Sequence, residues 1–325
     1  MHRFHDFFCQ SADGLTLHGR STGPDSPHLP VLCLPGLTRT TADFDTIAQA
    51  LATDPQTPRR VVAVDYRGRG LSDSDPNPEN YTVAMEMGDV AAVAAAAEVS
   101  RAILLGTSRG GLISMALAAM RSPLPAGVIL NDIGPVLELT GLMKIKGYIT
   151  DPPERHGWDE AAGGLKALFA DAFPALTDAD WMAWAHRAFR LATHPPGPDH
   201  GGPPPGPIAS SHMVSPHAAK LERTYDLALA RSFDGIDPEN PPPPLWELFD
   251  ALQNLPLMLI HGALSDLLSP QTVQEMAARR PDLDLVEVAD QGHAPLLTDA
   301  PTIARIKAFC RRCDQAAAAP TASDR

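Results

Sequence analysis

Short segments of mainly apolar residues recur along the first part of the chain and alternate with segments of helical character. Four of them are Val31–Leu34, Arg60–Asp65, Ala102–Leu105 and Ala126–Asn131. Such near-continuous apolar runs are typical of parallel strands that are covered on both faces. Because the strands alternate with helices, the pattern predicts a mostly parallel sheet with right-handed crossovers, whose ligands bind at the carboxyl ends of the strands.

Two further pairs of strands complete the predicted sheet. Phe4–Cys9 and Leu15–Arg20 flank the turn sequence Ala12-Asp13-Gly14, which predicts an antiparallel hairpin. Near the end of the chain, Leu257–Ile260 and Leu283–Val288 repeat the buried-strand pattern, and helical segments follow both. The sequence therefore predicts an α/β fold built on a doubly wound, mostly parallel sheet of eight strands.

The strand pattern disappears between residues 135 and 244. Helical segments separated by Pro- and Gly-rich runs take its place, and all four tryptophans lie between Trp158 and Trp246. This composition predicts a helical cap, or lid, over residues 135–244, inserted between a first part of the core at 1–134 and a second part at 245–314. Residues 315–325, which are rich in alanine, are predicted to form a disordered tail.

The sequence Gly106-Thr-Ser-Arg-Gly110 lies between the predicted strand Ala102–Leu105 and a helix that begins near Arg109. It matches the pattern Gly-x-Ser-x-Gly, in which the serine occupies a strained turn from strand to helix. Small residues two positions before and after Ser108 avoid clashes in such a turn. The amino terminus of the helix also favours negative charge that develops beside the serine. Ser108 is therefore the predicted nucleophile.

A serine nucleophile needs a base that removes its proton. His293 is the preferred candidate because it follows a predicted strand and lies beside a glycine in a loop, whereas His261, at a strand end, is the weaker one. The imidazole in turn needs a carboxylate that holds its tautomer. Asp266, just beyond the strand Leu257–Ile260, is preferred for this role, and Asp132, which also ends a strand, is the alternative.

Attack on a carbonyl also requires two fixed hydrogen-bond donors for the oxyanion. The backbone N–H of Arg109, directly after the nucleophile, is one candidate, and the N–H of Leu37, in the loop after the strand Val31–Leu34, is the other. Two roles are open for the Arg109 side chain: it orients an acidic substrate, or it forms a salt bridge at the start of the helix.

Five residues of the predicted cap are candidates for lining an apolar substrate pocket. Aromatic residues at helical spacing also commonly form the core of such a segment, so this second interpretation stays open. The five residues are Met143, Tyr148, Trp158, Trp181 and Trp184.

The formal net charge of -13 argues against binding to nucleic acid or to anionic membrane surfaces. No apolar run approaches the roughly 18 residues that a membrane-spanning helix needs, and we expect no signal peptide. Four scattered cysteines do not make a disulfide framework, which favours a cytoplasmic location. We expect a small-molecule substrate, no cofactor and no metal ion. The sequence does not indicate an oligomeric state.

Five motifs occur together along the chain: Pro35-Gly36, Asp65–Asp73, Gly106–Gly110, Gly262–Asp266 and Gly292-His293. As a set they resemble the α/β-hydrolase fold superfamily. The resemblance implies a Ser108–His293–Asp266 catalytic triad and a lid over the pocket. Because the nucleophile is serine rather than aspartate, it also implies cleavage of a small-molecule carboxylic ester or lactone. A C–C bond hydrolase acting on a diketone-type substrate and a non-catalytic small-molecule-binding relative are the alternatives.

Overall fold

The chain is described by a computed structural model over residues 3–150, 153–192, 220–237, 239 and 241–319. The strands of these residues are β1 (His5–Gln10), β2 (Thr16–Thr22), β3 (Val31–Leu34), β4 (Val61–Asp65), β5 (Ala102–Thr107), β6 (Pro125–Asn131), β7 (Arg155–His156), β8 (Phe189–Leu191), β9 (Lys220–Arg223), β10 (Leu257–Gly262) and β11 (Asp284–Val288). The α-helices are α1 (Asp45–Ala52), α2 (Val83–Ala96), α3 (Arg109–Ala119), α4 (Leu139–Thr150), α5 (Trp158–Phe169), α6 (Asp178–Ala188), α7 (Trp246–Asp250), α8 (Pro270–Arg279) and α9 (Ala300–Ala318). Short 3-10 helices cover Thr41–Phe44, Pro78–Asn80 and Leu227–Phe233.

The main sheet contains eight strands in the order β1-β2-β4-β3-β5-β6-β10-β11. β2 runs antiparallel to both of its neighbours, β1 and β4, whereas every pair from β4 to β11 is parallel. This confirms the predicted α/β fold with a mostly parallel sheet of eight strands. The register sets Leu34 beside Gly106 and Thr107 beside Asn131, so β3, β5 and β6 end at the same edge.

Both faces of the sheet are buried, which explains the near-continuous apolar strands. On β5, Leu104 belongs to the core cluster that includes residues of α2, α3 and α8. The flanking residues Ile103 and Leu105 belong to the opposite cluster, with residues of α1 and α9. Because alternate strand residues point to opposite faces, a strand covered on both sides needs apolar residues at every position.

Between β6 and β10 the chain leaves the main sheet and forms the inserted segment, residues 132–256. This segment contains α4–α7 and a second, antiparallel sheet in the order β7-β9-β8. The segment was predicted as a helical cap, and its three short strands correct that prediction. The strand β9 has the sequence Lys-Leu-Glu-Arg, whose single apolar residue, Leu221, packs with the aromatic core of the segment. The predicted boundaries at 134/135 and 244/245 both fall in loops.

The last helix is longer than predicted. α9 continues to Ala318 and therefore includes Gln315–Ala318, the first residues of the predicted disordered tail. The residues Gln315–Ala318 have high intrinsic helix propensity, so they extend an established helix at little cost. Residues 320–325 lie outside the described part of the chain. Across the described ranges, no helix combines the length and the apolar character needed to cross a bilayer.

Candidate active site

Ser108 occupies the sharp turn between β5 and α3. Its backbone angles are φ 51° and ψ −112°, a strained conformation for a residue with a side chain. The two flanking glycines make this turn sterically possible. A Cβ on Gly106 would lie 2.5 Å from the carbonyl carbon of Gly110, and one on Gly110 would lie 2.0 Å from the carbonyl oxygen of Leu34. The Gly-x-Ser-x-Gly pattern therefore reflects a packing requirement.

A continuous chain of hydrogen bonds joins three side chains at the carboxyl edge of the sheet. Oγ of Ser108 lies 2.8 Å from Nε2 of His293, and Nδ1 of His293 lies 2.8 Å from Oδ2 of Asp132. An ionised carboxylate only accepts hydrogen bonds, so Nδ1 carries the proton and Nε2 is free to accept the proton of the serine hydroxyl. The structure thus brings the predicted nucleophile and the predicted base into direct contact.

The carboxylate of Asp132 is fully buried and held in place by two further donors. The backbone N–H of Gly262 donates to Oδ1 at 2.8 Å, and the hydroxyl of Ser265 donates to Oδ2 at 2.6 Å. The backbone of Asp132 has a φ of 56°, a left-handed conformation that aspartate tolerates better than most residues. These contacts fix the carboxylate toward the imidazole and satisfy its buried oxygens.

The prediction that Asp266 orients the histidine is wrong. Its carboxylate forms an ion pair of 2.9 Å with Nζ of Lys144 and remains 29% exposed. In the turn after β10, Ser265 points toward the buried carboxylate of Asp132, whereas the backbone of Asp266 packs against Gly141 of α4. The alternative, Asp132, occupies the position beside His293 because β6 lies directly next to the nucleophile strand.

Two backbone amides in the segments next to Ser108 are the predicted donors for the oxyanion. Within the described part of the chain, neither the N–H of Leu37 nor that of Arg109 donates to a protein atom. Leu37 follows β3 and borders the same cavity as Ser108. The neighbouring Gly36 is so close that its Cβ would lie 3.7 Å from the Cβ of Ser108. Both predicted donors therefore lie in the chain segments that border the serine.

The side chain of Arg109 forms a salt bridge. Its Nε lies 2.6 Å from Oε2 of Glu86, which is fully buried, and its Nη2 donates to the carbonyl oxygen of Tyr81 at 3.0 Å. Two guanidinium groups, those of Arg69 and Arg109, hold the pKa of the Glu86 carboxyl below its usual value despite the burial that opposes ionisation. Of the two roles left open by the sequence, the structure shows the salt bridge.

The serine and the histidine open into a cavity of about 530 Å³ between the sheet edge and the inserted segment. Of the five predicted lining residues, Tyr148 and Trp184 border this cavity and the other three do not. Trp181 is buried against Trp184 with ring centroids 5.5 Å apart, Trp158 packs on the ring of His186, and Met143 is exposed on α4. The three tryptophans thus mainly form the core of the inserted segment. Among the described residues, the leucine, isoleucine and aromatic side chains at the cavity are Leu37, Phe44, Ile145, Tyr148, Leu165, Leu168, Phe169, Trp184, Tyr225, Leu296 and Leu297.

Sequence reasoning missed the basic residues of the cavity. Five cationic side chains of the described residues border it. They come from separate parts of the chain, so no local motif predicts them. They are Arg39, Lys144, Arg155, Arg187 and Arg223.

Comparisons with known proteins agree with the observed fold. The model of a family described as the alpha/beta hydrolase family matches residues 31–306. The 3-hydroxybutyrate-oligomer hydrolase of Cupriavidus necator is 33% identical over 281 residues, which cover 86% of this chain and 87% of that protein. The crystal structure of an alpha/beta hydrolase from Novosphingobium aromaticivorans is 34% identical, with a TM-score of 0.80 over 96% of this chain and 99% of the other. The N-formylmaleamate deformylase of Pseudomonas putida is 24% identical and covers 87% of this chain and 88% of that protein.

Proposed function

This chain belongs to the alpha/beta hydrolase family, and we propose that it is a serine hydrolase that cleaves small-molecule carboxylic esters. Hydrolase activity is supported by the names of its relatives. The observation that carries the ester-cleaving mechanism is the unbroken hydrogen-bond chain from Ser108 through His293 to Asp132, which opens into the cavity. This chain of contacts can generate a nucleophile at neutral pH without a cofactor.

In the first half of the proposed reaction, Oγ of Ser108 attacks the ester carbonyl carbon while Nε2 of His293 takes the hydroxyl proton. Asp132 stabilises the imidazolium through Nδ1 and keeps the ring in the reactive tautomer. The negative charge that develops on the carbonyl oxygen is stabilised by the backbone N–H groups of Leu37 and Arg109. When the tetrahedral intermediate collapses, the C–O bond of the ester breaks and His293 donates its proton to the departing alcohol.

In the second half, water replaces the alcohol. Nε2 of His293 removes a proton from this water as its oxygen attacks the acyl carbon bound to Ser108. The second tetrahedral intermediate collapses, the bond between the acyl carbon and Oγ breaks, and the proton on His293 returns to the serine. The products are a carboxylic acid and an alcohol, and the enzyme is restored.

Esters of short hydroxy acids are the first substrates to test. The relative from Cupriavidus necator is named for 3-hydroxybutyrate oligomers, in which ester bonds join successive hydroxy acid units. A cavity of about 530 Å³ lies within the range of pockets that hold small organic ligands. Residues of the inserted segment line the cavity that contains Ser108, so we infer that this segment acts as a lid that selects substrates by size and charge.

Labelling with a fluorophosphonate probe, combined with turnover of p-nitrophenyl acetate, tests the proposed function. We expect labelling and turnover in the native protein and the loss of both in Ser108→Ala. Ser122→Ala, which removes a hydroxyl outside the cavity, is the matched control and should retain both. Labelling without turnover of any ester would favour a C–C bond hydrolase, and the absence of both would favour a non-catalytic binding protein.

A further inference from the structure

The cavity beside Ser108 has a charge opposite to that of the whole protein. The chain has a formal net charge of -13, yet the described residues that line the cavity include five cationic side chains and a single carboxylate. A cluster of positive charge in a partly enclosed site concentrates anions and strengthens their binding, because the surrounding protein screens charge less than water does. The carboxylate among the lining residues is Asp43.

Three of the five cations already have carboxylate partners. Nζ of Lys144 pairs with Asp266 at 2.9 Å. Arg39 and Arg187 share Oδ1 of Asp43, at 2.9 and 3.3 Å. These contacts give the three side chains a structural role that does not require a ligand, so they do not by themselves indicate an anion-binding site.

Where the structure describes the chain, the other two cations, Arg155 and Arg223, lack a close carboxylate partner. Among the described residues, Arg223 forms no ion pair; its Nη2 donates to the carbonyl oxygen of Pro153 at 3.3 Å, and its guanidinium lies over the ring of Tyr225. The carboxylate nearest to Arg155 is that of Glu160, at a loose 3.7 Å. Each guanidinium therefore keeps donors that can bind a ligand.

The small sheet of the inserted segment sets these two arginines side by side. β7 pairs with β9 so that Arg155 of β7 lies opposite Leu221 of β9. Arg223 lies on β9, two residues after Leu221. In a sheet, directly opposite residues point to the same face, and so does every second residue along a strand. The side chains of Arg155 and Arg223 therefore project from the same face of the sheet, in diagonally neighbouring positions. Both also border the cavity that contains Ser108.

Two neighbouring cations in a partly buried site destabilise each other unless an anion lies between them. Burial lowers the pKa of Arg223 below its usual value, and the charge of Arg155 acts in the same direction, against the opposing effect of Tyr225. The guanidinium groups nonetheless stay charged at neutral pH. A planar carboxylate can accept paired hydrogen bonds from guanidinium groups and remove their mutual repulsion.

We propose that Arg155 and Arg223 form a subsite that binds a carboxylate of the ester substrate, so that the enzyme prefers esters that carry a negative charge. This inference rests on the proposed function of Ser108. The apolar side chains that line the same cavity, among them Leu165, Leu168 and Phe169, suit a short apolar chain between the ester group and the carboxylate. The proposed substrate class is thus a small carboxylic ester that carries one free carboxylate group.

Two matched pairs of esters test this inference by their kcat/KM. In the first pair, mono-p-nitrophenyl glutarate carries a carboxylate on the acyl side and p-nitrophenyl pentanoate is its neutral counterpart. In the second pair, 3-acetoxybutyrate carries a carboxylate on the alcohol side and 2-pentyl acetate is its neutral counterpart. In at least one pair we expect the native enzyme to prefer the anionic ester by roughly 10- to 100-fold, the size expected for hydrogen bonds to a charged group. Added salt should reduce this preference.

Substitution of the two arginines should abolish the preference and leave the chemistry intact. We expect Arg155→Met and Arg223→Met each to bring the ratio of anionic to neutral kcat/KM close to one, because the loss falls mainly on the anionic ester while the triad is untouched. Arg223→Lys keeps the charge but not the planar fork, so it should retain part of the preference. Neutral turnover also shows that each variant is folded.

Arg190→Met is the matched control. Arg190 lies on β8 of the same small sheet, is half exposed, pairs with Glu222 and does not line the cavity, so its loss should leave the ratio unchanged. A native enzyme that hydrolyses both members of each pair equally well, or a preference that survives both methionine substitutions, would overturn the subsite and leave the proposed function standing. Failure of the native protein to hydrolyse any ester or to react with a fluorophosphonate would overturn both.

Discussion

The hydroxyl of Ser265 donates a 2.6 Å hydrogen bond to Oδ2 of Asp132, the same carboxylate oxygen that accepts from Nδ1 of His293. Ser265 lies in the loop after β10, whereas Asp132 follows β6, so this bond ties two adjacent strand ends together. The backbone N–H of Gly262 donates to the other oxygen, Oδ1. Together the two hydrogen bonds hold the carboxylate in one orientation toward the imidazole. The loop after β10 thus supports the acid of the site but does not supply it.

Ser265→Ala tests this support. The variant loses one of the hydrogen bonds that hold the Asp132 carboxylate, and we expect kcat for a neutral ester to fall by about 10-fold with KM nearly unchanged. Ser265→Thr keeps the hydroxyl and should restore most of kcat. Steady-state kinetics of the three proteins would show this, and an unchanged kcat in the alanine variant would mean that the bond does not position the carboxylate.

The nucleophile turn should tolerate no side chain at Gly110. Gly110→Ala places a Cβ 2.0 Å from the carbonyl oxygen of Leu34, so we expect it to lower the free energy of unfolding by about 1–3 kcal/mol or more. Gly88→Ala is the matched control, because Gly88 lies within α2 and its Cβ would have no neighbour within 4 Å. There we expect a gain of about 0.5–1 kcal/mol. Urea denaturation would measure the free energy of unfolding of both variants. Equal changes in the two variants would contradict the expected clash between the new Cβ at position 110 and Leu34.

The buried side chain of His18 links the stability of the protein to pH. Burial opposes protonation of His18, but hydrogen bonds and charge interactions with Asp65 and Asp6, at 2.7 and 3.0 Å, outweigh it and raise the pKa of His18 above its usual value. A raised pKa in the folded state stabilises the protein fully below the unfolded-state pKa of about 6.5, and this stabilisation is lost as pH rises through the folded-state pKa.

We therefore expect His18→Gln to lower the free energy of unfolding more at about pH 6 than at about pH 9. Urea denaturation of both proteins across this range would measure the difference. His156→Gln is a suitable control because that side chain is exposed, and its effect should be small at every pH. If His18→Gln destabilises the protein more at alkaline pH than at about pH 6, the pKa of His18 is not raised in the folded state.

The sequence was informative wherever a local requirement decides the residue type. Strands such as β5 are covered on both faces, so their apolar runs predict them directly. The turn at Ser108 needs glycines at fixed positions, so the turn too could be predicted. By contrast, Asp132 and Asp266 both follow strands that end at the same edge of the sheet, and spacing alone does not tell which of them faces His293. The order of the strands in the sheet and the packing of the loop after β10 together decide this.

The inserted segment was harder to predict because its structure depends on partners that are distant in the sequence. The strand β9 contains too few apolar residues to give an alternating pattern, and its pairing with β7 brings Arg155 and Arg223 together across a long stretch of chain. No local spacing signals such a pair. The basic character of the cavity therefore became visible only when the three-dimensional neighbours of these arginines were known.

The most direct measurement compares Asp132→Asn with Asp266→Asn in the hydrolysis of a single neutral ester. If Asp132 holds His293 in its reactive tautomer, Asp132→Asn should lower kcat by about 10³- to 10⁴-fold. Asp266→Asn, which removes only a partly exposed ion pair with Lys144, should stay within about threefold of native. A large loss of kcat in Asp266→Asn with near-native turnover in Asp132→Asn would contradict the assignment of the site.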